Sequence, residues 1–184
     1  MSKFNARRIC RIALLAAMYF LLNMVEIRTP GNLHITFDAL PVVVGALLLG
    51  PVDAVLIAMF GELLNQIISP YGITATTLLW LIPPMLRGLL IGLAACRSRR
   101  PDQPLENRPV RFYTVCVLAA VATTAANTAV IWLDSVIYGY YTFALVFGSA
   151  LIRFITGMIT AVLVATVAMP LTNLLRRRAL GWRA

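Results

Sequence analysis

VDAVLIAMFGELLNQIIS, residues Val52–Ser69, decides how the rest of the chain is read. At a rise of about 1.5 Å per residue a helix of this length reaches about 27 Å, close to the roughly 30 Å hydrocarbon thickness of a bilayer. Its first half is apolar apart from Asp53, which reads as a solvated helix-start residue favoured by the N-terminal dipole. Its second half carries Glu62, Asn65, Gln66 and Ser69 at i, i+3, i+4 and i+7, which places all four on one helical face. Ionisable groups inside a span cost on the order of a few kcal/mol, so each needs a partner, a wet cavity or a function.

The surrounding sequence is of the same kind. Of 184 residues, 60% are hydrophobic and only 12% are charged, and mean hydropathy is +0.85. A soluble domain is nearer half apolar and a quarter charged. No polar block is long enough to fold apart, so residues 1–184 read as a single transmembrane domain. The expected fold is all-α, a six-helix integral membrane bundle. Its helices run approximately over 9–25, 36–50, 52–69, 74–96, 112–137 and 143–175, with a polar linker at 97–111.

The punctuation has physical reasons. Pro30 and Gly31 break Glu26–Ile35 into an outer loop. Gly50-Pro51 ends one helix and starts the next, because glycine tolerates a terminating conformation and proline suits a first helical turn. Pro70-Tyr71-Gly72 reads as a tight outer turn. Pro83-Pro84 removes backbone donors within the fourth helix, which predicts a kink or break there. Ile12–Leu22 resembles a signal sequence, but Asn23-Met24-Val25-Glu26-Ile27 offers no small-residue cleavage site, so it is kept as a span.

The formal net charge of +9 does not point to nucleic acid. The basic residues gather at Lys3, Arg7, Arg8 and Arg11, at Arg97, Arg99, Arg100, Arg108 and Arg111, and at Arg176, Arg177, Arg178 and Arg183. Each cluster abuts the end of an apolar run, the positive-inside pattern. Six spans put both termini and the linker on one side, so all three clusters face the cytoplasm. No aromatic-interleaved basic groove accompanies them. Cys10, Cys96 and Cys116 have no paired spacing, which argues against a disulfide framework or a C-x-x-C metal site. His34 alone is weak support for a metal.

Polar stripes recur on other helices. Asn127 and Asp134 share a face, continued by Thr123 and Tyr138. Thr76, Trp80 and Arg87 follow one side of the fourth helix, and Ser149, Arg153, Thr156 and Thr160 one side of the sixth. Either these stripes converge on a cavity that opens outward, or the hydroxyl and amide groups tie helices together while Glu62 and Arg153 neutralise each other. Arg87 either joins such a site or snorkels to the interface. Trp80, Trp132, Tyr138, Tyr140 and Tyr141 fit an aromatic belt, and as a group also fit stacking on a flat heterocycle. There is no G-x-x-x-x-G-K-[ST] loop for ATP, no H-E-x-x-H and no G-x-S-x-G. Ala13 and Ala17, one turn apart, would let a partner helix approach closely.

The stretch Ile35-Thr-Phe-Asp-Ala-Leu-Pro-Val-Val-Val-Gly-Ala-Leu-Leu-Leu-Gly-Pro51 resembles the substrate-binding (S) components of energy-coupling factor (ECF) transporters. The resemblance continues at Phe60-Gly61-Glu62, Leu86-Arg87-Gly88-Leu89-Leu90-Ile91-Gly92, Asn127-Thr128, Tyr138-Gly139-Tyr140-Tyr141 and Arg153. The loop Ile27-Arg28-Thr29-Pro30 and Asn127-Thr128 look most like the folate-type branch, although the ELLNQ cluster at Glu62–Gln66 is heavier than that branch suggests. The resemblance implies a non-enzymatic subunit in the bacterial plasma membrane that captures a vitamin from outside. Such a subunit docks through Ala13 and Ala17 on a transmembrane coupling subunit with two ATP-binding cassette ATPases. It then topples in the bilayer, binding no cofactor itself because ATP is used by its partners. The implied ligand contacts are Arg28, Glu62, Asn65, Gln66, Trp80, Asn127, Tyr138 and Arg153. Riboflavin, pantothenate and pyridoxine-like vitamins stand beside folate. The competing classes are a secondary transporter or small channel driven by an ion gradient, a membrane-embedded enzyme, and a scaffold.

Overall fold

The computed structural model describes residues 5–25, 27–29, 33–69, 72–98 and 105–181, with the side chains of 27–29, 33–35, 106 and 177–181 outside that description. The side chains of Arg28, His34, Arg177 and Arg178, together with Lys3, Pro30, Gly31, Pro70, Tyr71, Arg99, Arg100 and Arg183, therefore lie outside the described residues. The helices are α1 (Ala6–Met24), α2 (Ala39–Leu48), α3 (Pro51–Ile68), α4 (Thr77–Trp80), α5 (Ile82–Arg97), α6 (Pro109–Ile137) and α7 (Ala150–Gly181). A 3-10 turn at Leu105–Asn107 precedes α6, and a π-helical turn at Ala144–Gly148 precedes α7.

Among the described residues, four segments are long and apolar enough to cross a membrane: Pro51–Ile68, Thr77–Arg97, Pro109–Ile137 and Ala144–Arg176. The expectation of six spans is thus met by four on length and composition alone. α1 carries Arg7, Arg8 and Arg11 in its first turns. α2 has ten residues, which is about 15 Å of helix and half the hydrocarbon thickness.

α2 is short because it is the centre. It packs on α1, α3, α5 and α7, and Pro41 through Leu47 are all buried. One cluster joins α2 to α5, α6 and α7 through Val43, Leu47, Ile91, Phe112, Cys116 and Val164. Another joins it to α1 and α3 through Val42, Ile12, Tyr19 and Ile57. The outward faces are apolar instead of polar, with Leu14, Leu21, Ile67, Leu118, Ile152 and Ile159 exposed. A surface this apolar is matched to lipid or to another membrane chain.

Several sequence expectations change in detail. Glu26–Ile35 is more than a loop: Ile27–Thr29 (β1) pairs antiparallel with Leu33–Ile35 (β2), Arg28 opposite His34. The fold is therefore helical with one short hairpin. The helix expected over 74–96 is two, α4 and α5, divided at Leu81. Pro83 and Pro84 stand in the first turn of α5, where the missing N–H groups have no intrahelical partner to lose. α6 starts at Pro109, which shortens the linker, and the sixth helix opens with the π-turn.

Asp53 is not solvated. It is 2% exposed, and Arg8 of α1 grips it, with Nε 2.9 Å from each carboxylate oxygen. At the α2–α3 turn Gly50 has φ +110°, a left-handed conformation that a side chain would strain. Where α5 crosses α3, a Cβ on Gly92 would stand 2.4 Å from Pro51 Cα, and one on Gly88 3.0 Å from the Ala54 carbonyl. This glycine pair, four residues apart, brings the two backbones together.

Candidate functional site: a polar hollow among the helices

α2, α5, α6 and α7 do not close completely. Between them lies an open-mouthed hollow of about 320 Å³, lined at its polar end by Thr36, Asp38, Arg87, Asn127 and Arg153 and deeper by Val43, Ile91 and Val164. Each polar group is placed by a helix terminus or a helix face. Asp38 sits at the start of α2, where it accepts hydrogen bonds from Thr36 Oγ1 (2.9 Å) and Asn23 Nδ2 (3.4 Å). Arg87 reaches it from α5, with Nη1 4.0 Å from Oδ1. Arg153, one turn into α7, donates through Nη2 to the Val146 carbonyl of the π-turn, while its Nε is buried without an acceptor among the described residues.

The hydroxyls on the α7 wall are oriented by their own helix. Thr156 Oγ1 donates to the Ile152 carbonyl at 2.9 Å and Thr160 Oγ1 to the Thr156 carbonyl at 2.8 Å. Their protons are thus committed and their lone pairs remain as acceptors. Gly157 keeps this wall close to α6, since a Cβ there would stand 2.9 Å from Thr124 Oγ1. The hollow therefore offers a guanidinium pair, one carboxylate, an amide and hydroxyl acceptors above an apolar floor. That is the donor and acceptor set of a small-molecule site.

The sequence-derived residues are divided by the fold. Asn127 and Arg153 share the hollow. Gln66, Trp80 and Tyr138 line a second recess between α3, α4 and α6, of about 760 Å³, with Asp134 and Tyr140. There Tyr140 donates its hydroxyl to the Asp134 carboxylate, which pushes the phenol up to about 12. Glu62 lines neither recess. It is buried in the α1–α3 seam, accepting from Tyr19 Oη at 2.9 Å and Gln66 Nε2 at 2.8 Å. The alternative in which Arg153 neutralises it is not formed: its partners are Tyr19 and Gln66, and Arg153 lies in the hollow. Asn65 is half-buried, one turn along from Glu62 and likewise outside both recesses. β1 carries Arg28 in the hairpin. Ala13 and Ala17 are exposed, on a flank of α1 beside the face that buries Ile12, Ala16 and Tyr19.

Asp38 and Thr124 were not singled out as site residues, whereas Arg87 and Thr160 stood on polar stripes without being among the implied ligand contacts. Asp38 and Arg87 each had a signal, an ionisable residue within or against an apolar run. That the two would meet across 49 positions of sequence had none.

A helical bundle with lipid-matched flanks and a polar hollow in its interior defines a class: a multi-pass membrane protein. A family model for the ECF-type riboflavin transporter S component matches residues 3–177, and the chain belongs to that family. The family is a transporter component and not an enzyme class. A solved S component of a bacterial ECF transporter shares the fold, with a TM-score of 0.61 at 18% identity over 96% of each chain. No curated protein sequence matches this one.

Proposed function

We propose that this chain is the substrate-capturing subunit of an ATP-driven ECF importer in the bacterial plasma membrane. It takes a vitamin-sized heterocycle from outside into the hollow bounded by α2, α5, α6 and α7. The observation that carries this reading is the hollow itself: about 320 Å³, within the roughly 300–1,000 Å³ of small-molecule sites, with charged, amide and hydroxyl groups beside an apolar wall. The solute is a flat nitrogen heterocycle. A folate-like compound is the first choice and riboflavin the second, the latter supported by the substrate in the name of the matching family.

In this reading Asn127, Arg153, Asp38 and Arg87 orient the solute. Gln66, Trp80 and Tyr138, with Arg28 of the hairpin, form its approach from the outer side. Glu62 and Asn65 hold α3 in place. Six helical segments are embedded in the bilayer, the ten-residue α2 reaching only about half-way across by itself, and both termini and the basic linker lie in the cytoplasm, the side that basic clusters favour. With no nucleotide loop in the sequence, delivery depends on a coupling subunit and two ATPases, docked on the exposed Ala13–Ala17 face, and on toppling of the loaded subunit.

The test is to purify the full chain in detergent and identify co-purifying small molecules by mass spectrometry. A heterocycle retained in near-stoichiometric amount supports capture. A preparation free of solute that binds none of the B vitamins, yet translocates ions in liposomes lacking ATPases, contradicts it in favour of an ion-driven carrier or channel.

A further inference from the structure

Among the described residues, three formally charged side chains line the hollow, Asp38, Arg87 and Arg153. Asp38 is matched by Thr36, Asn23 and the approach of Arg87. Arg153 has no carboxylate within ion-pair distance among the described residues, its Nη2 serves the Val146 carbonyl, and its Nε is buried with nothing to accept from it. The groups facing it from α6 and α7 are neutral: the Asn127 amide, with no partner of its own among the described residues, and the Thr124 and Thr156 hydroxyls. Among the described residues, two arginines against one aspartate leave one positive charge over. A guanidinium inside an apolar span without a counter-charge is costly, and donors left empty there are complete when an anion arrives.

We propose that the solute held in this hollow is an anion, a flat heterocycle bearing a carboxylate or phosphate. Its acidic group lies on Arg153 and its ring against the Val43, Ile91 and Val164 wall. The inference rests on the capture reading and selects within it: it favours acid-bearing heterocycles over a neutral vitamin such as riboflavin.

The experiment titrates the full chain in detergent with two matched pairs, riboflavin against riboflavin 5′-phosphate and folate against its neutral dimethyl ester. In whichever ring series binds, the acidic member binds at least about tenfold more tightly than the neutral one. The pair that binds also tells phosphate from carboxylate. Arg153→Gln reduces the preference to about twofold or less, and Arg153→Lys retains most of it. Equal or tighter binding of the neutral member overturns the proposal, as does a preference that survives Arg153→Gln. So does a co-purified solute that is neutral at pH 7. If Arg153 only clasps the π-turn, Arg153→Gln lowers thermal stability and leaves the charge preference unchanged. Should that variant fail to fold, the wild-type comparison of charged and neutral partners still decides. Absence of binding in both series with no co-purifying solute counts against capture itself and not against the charge of the ligand.

Discussion

At the scale of single residues, the close approach of α3 and α5 depends on hydrogen atoms where other residues have methyl groups. A Cβ on Gly92 would overlap the backbone of Pro51, and backbone yields only by moving a whole helix. Gly92→Ala is expected to destabilise the protein by about 1–3 kcal/mol, read as a lower thermal unfolding midpoint in detergent. Gly148→Ala is the control, since its nearest neighbour stands 4.0 Å away. Equal midpoints for the two variants would contradict the packing described. Part of the residue-level picture was legible from spacing: Glu62 and Gln66 do share a face, and they are hydrogen-bonded. What they face was not. Tyr19 is 43 positions away, and helical period says which residues point together without saying toward what. Asp53 taught the same lesson, because a helix-start carboxylate looks alike in sequence whether water or Arg8 satisfies it.

Among the elements, the apolar runs were plain, because continuous hydrophobicity is a strong signal and Gly-Pro pairs mark where it stops. The hairpin was invisible: three-residue strands have no period to detect, and Pro30-Gly31 reads equally as a loop. The division of the fourth helix at Leu81 was foreshadowed by Pro83-Pro84, although the break falls before the prolines and not on them. α1 has two unlike faces, one fixed to α3 by Tyr19 and Glu62 and by Arg8 and Asp53, the other showing Ala13 and Ala17. Ala13→Leu with Ala17→Leu is therefore expected to abolish co-purification with the coupling subunit while leaving ligand affinity within about twofold, since neither residue lines a recess. A doubly substituted chain that still assembles, or one that loses ligand instead, would remove the docking role from this face.

For the whole molecule, composition and charge clustering were enough to place the chain in a bilayer, whereas the stripes on α6 and α7 left open whether they meet: Asn127 and Arg153 share the hollow, but Asp134 and Tyr138 of the same α6 stripe line the second recess. They could not show that α2, the most apolar and least marked helix, is the hub. Nor could they show that Asp38 at its start and Arg87 on α5 complete the polar end of the hollow. Convergence of four helices is a property of the packed bundle, and a single sequence carries it only as separate faces. The central claim is that this hollow receives the solute, and the most direct measurement is an equilibrium binding isotherm for Ala161→Phe. Ala161 lies on the α7 wall of the hollow, and a phenyl ring there fills the space with apolar volume while no hydrogen bond is lost. At least about a hundredfold loss of affinity for the co-purified solute is expected, the order for a sterically blocked site, with thermal unfolding close to wild type. A folded Ala161→Phe chain that binds that solute with wild-type affinity would place the site elsewhere and contradict the account.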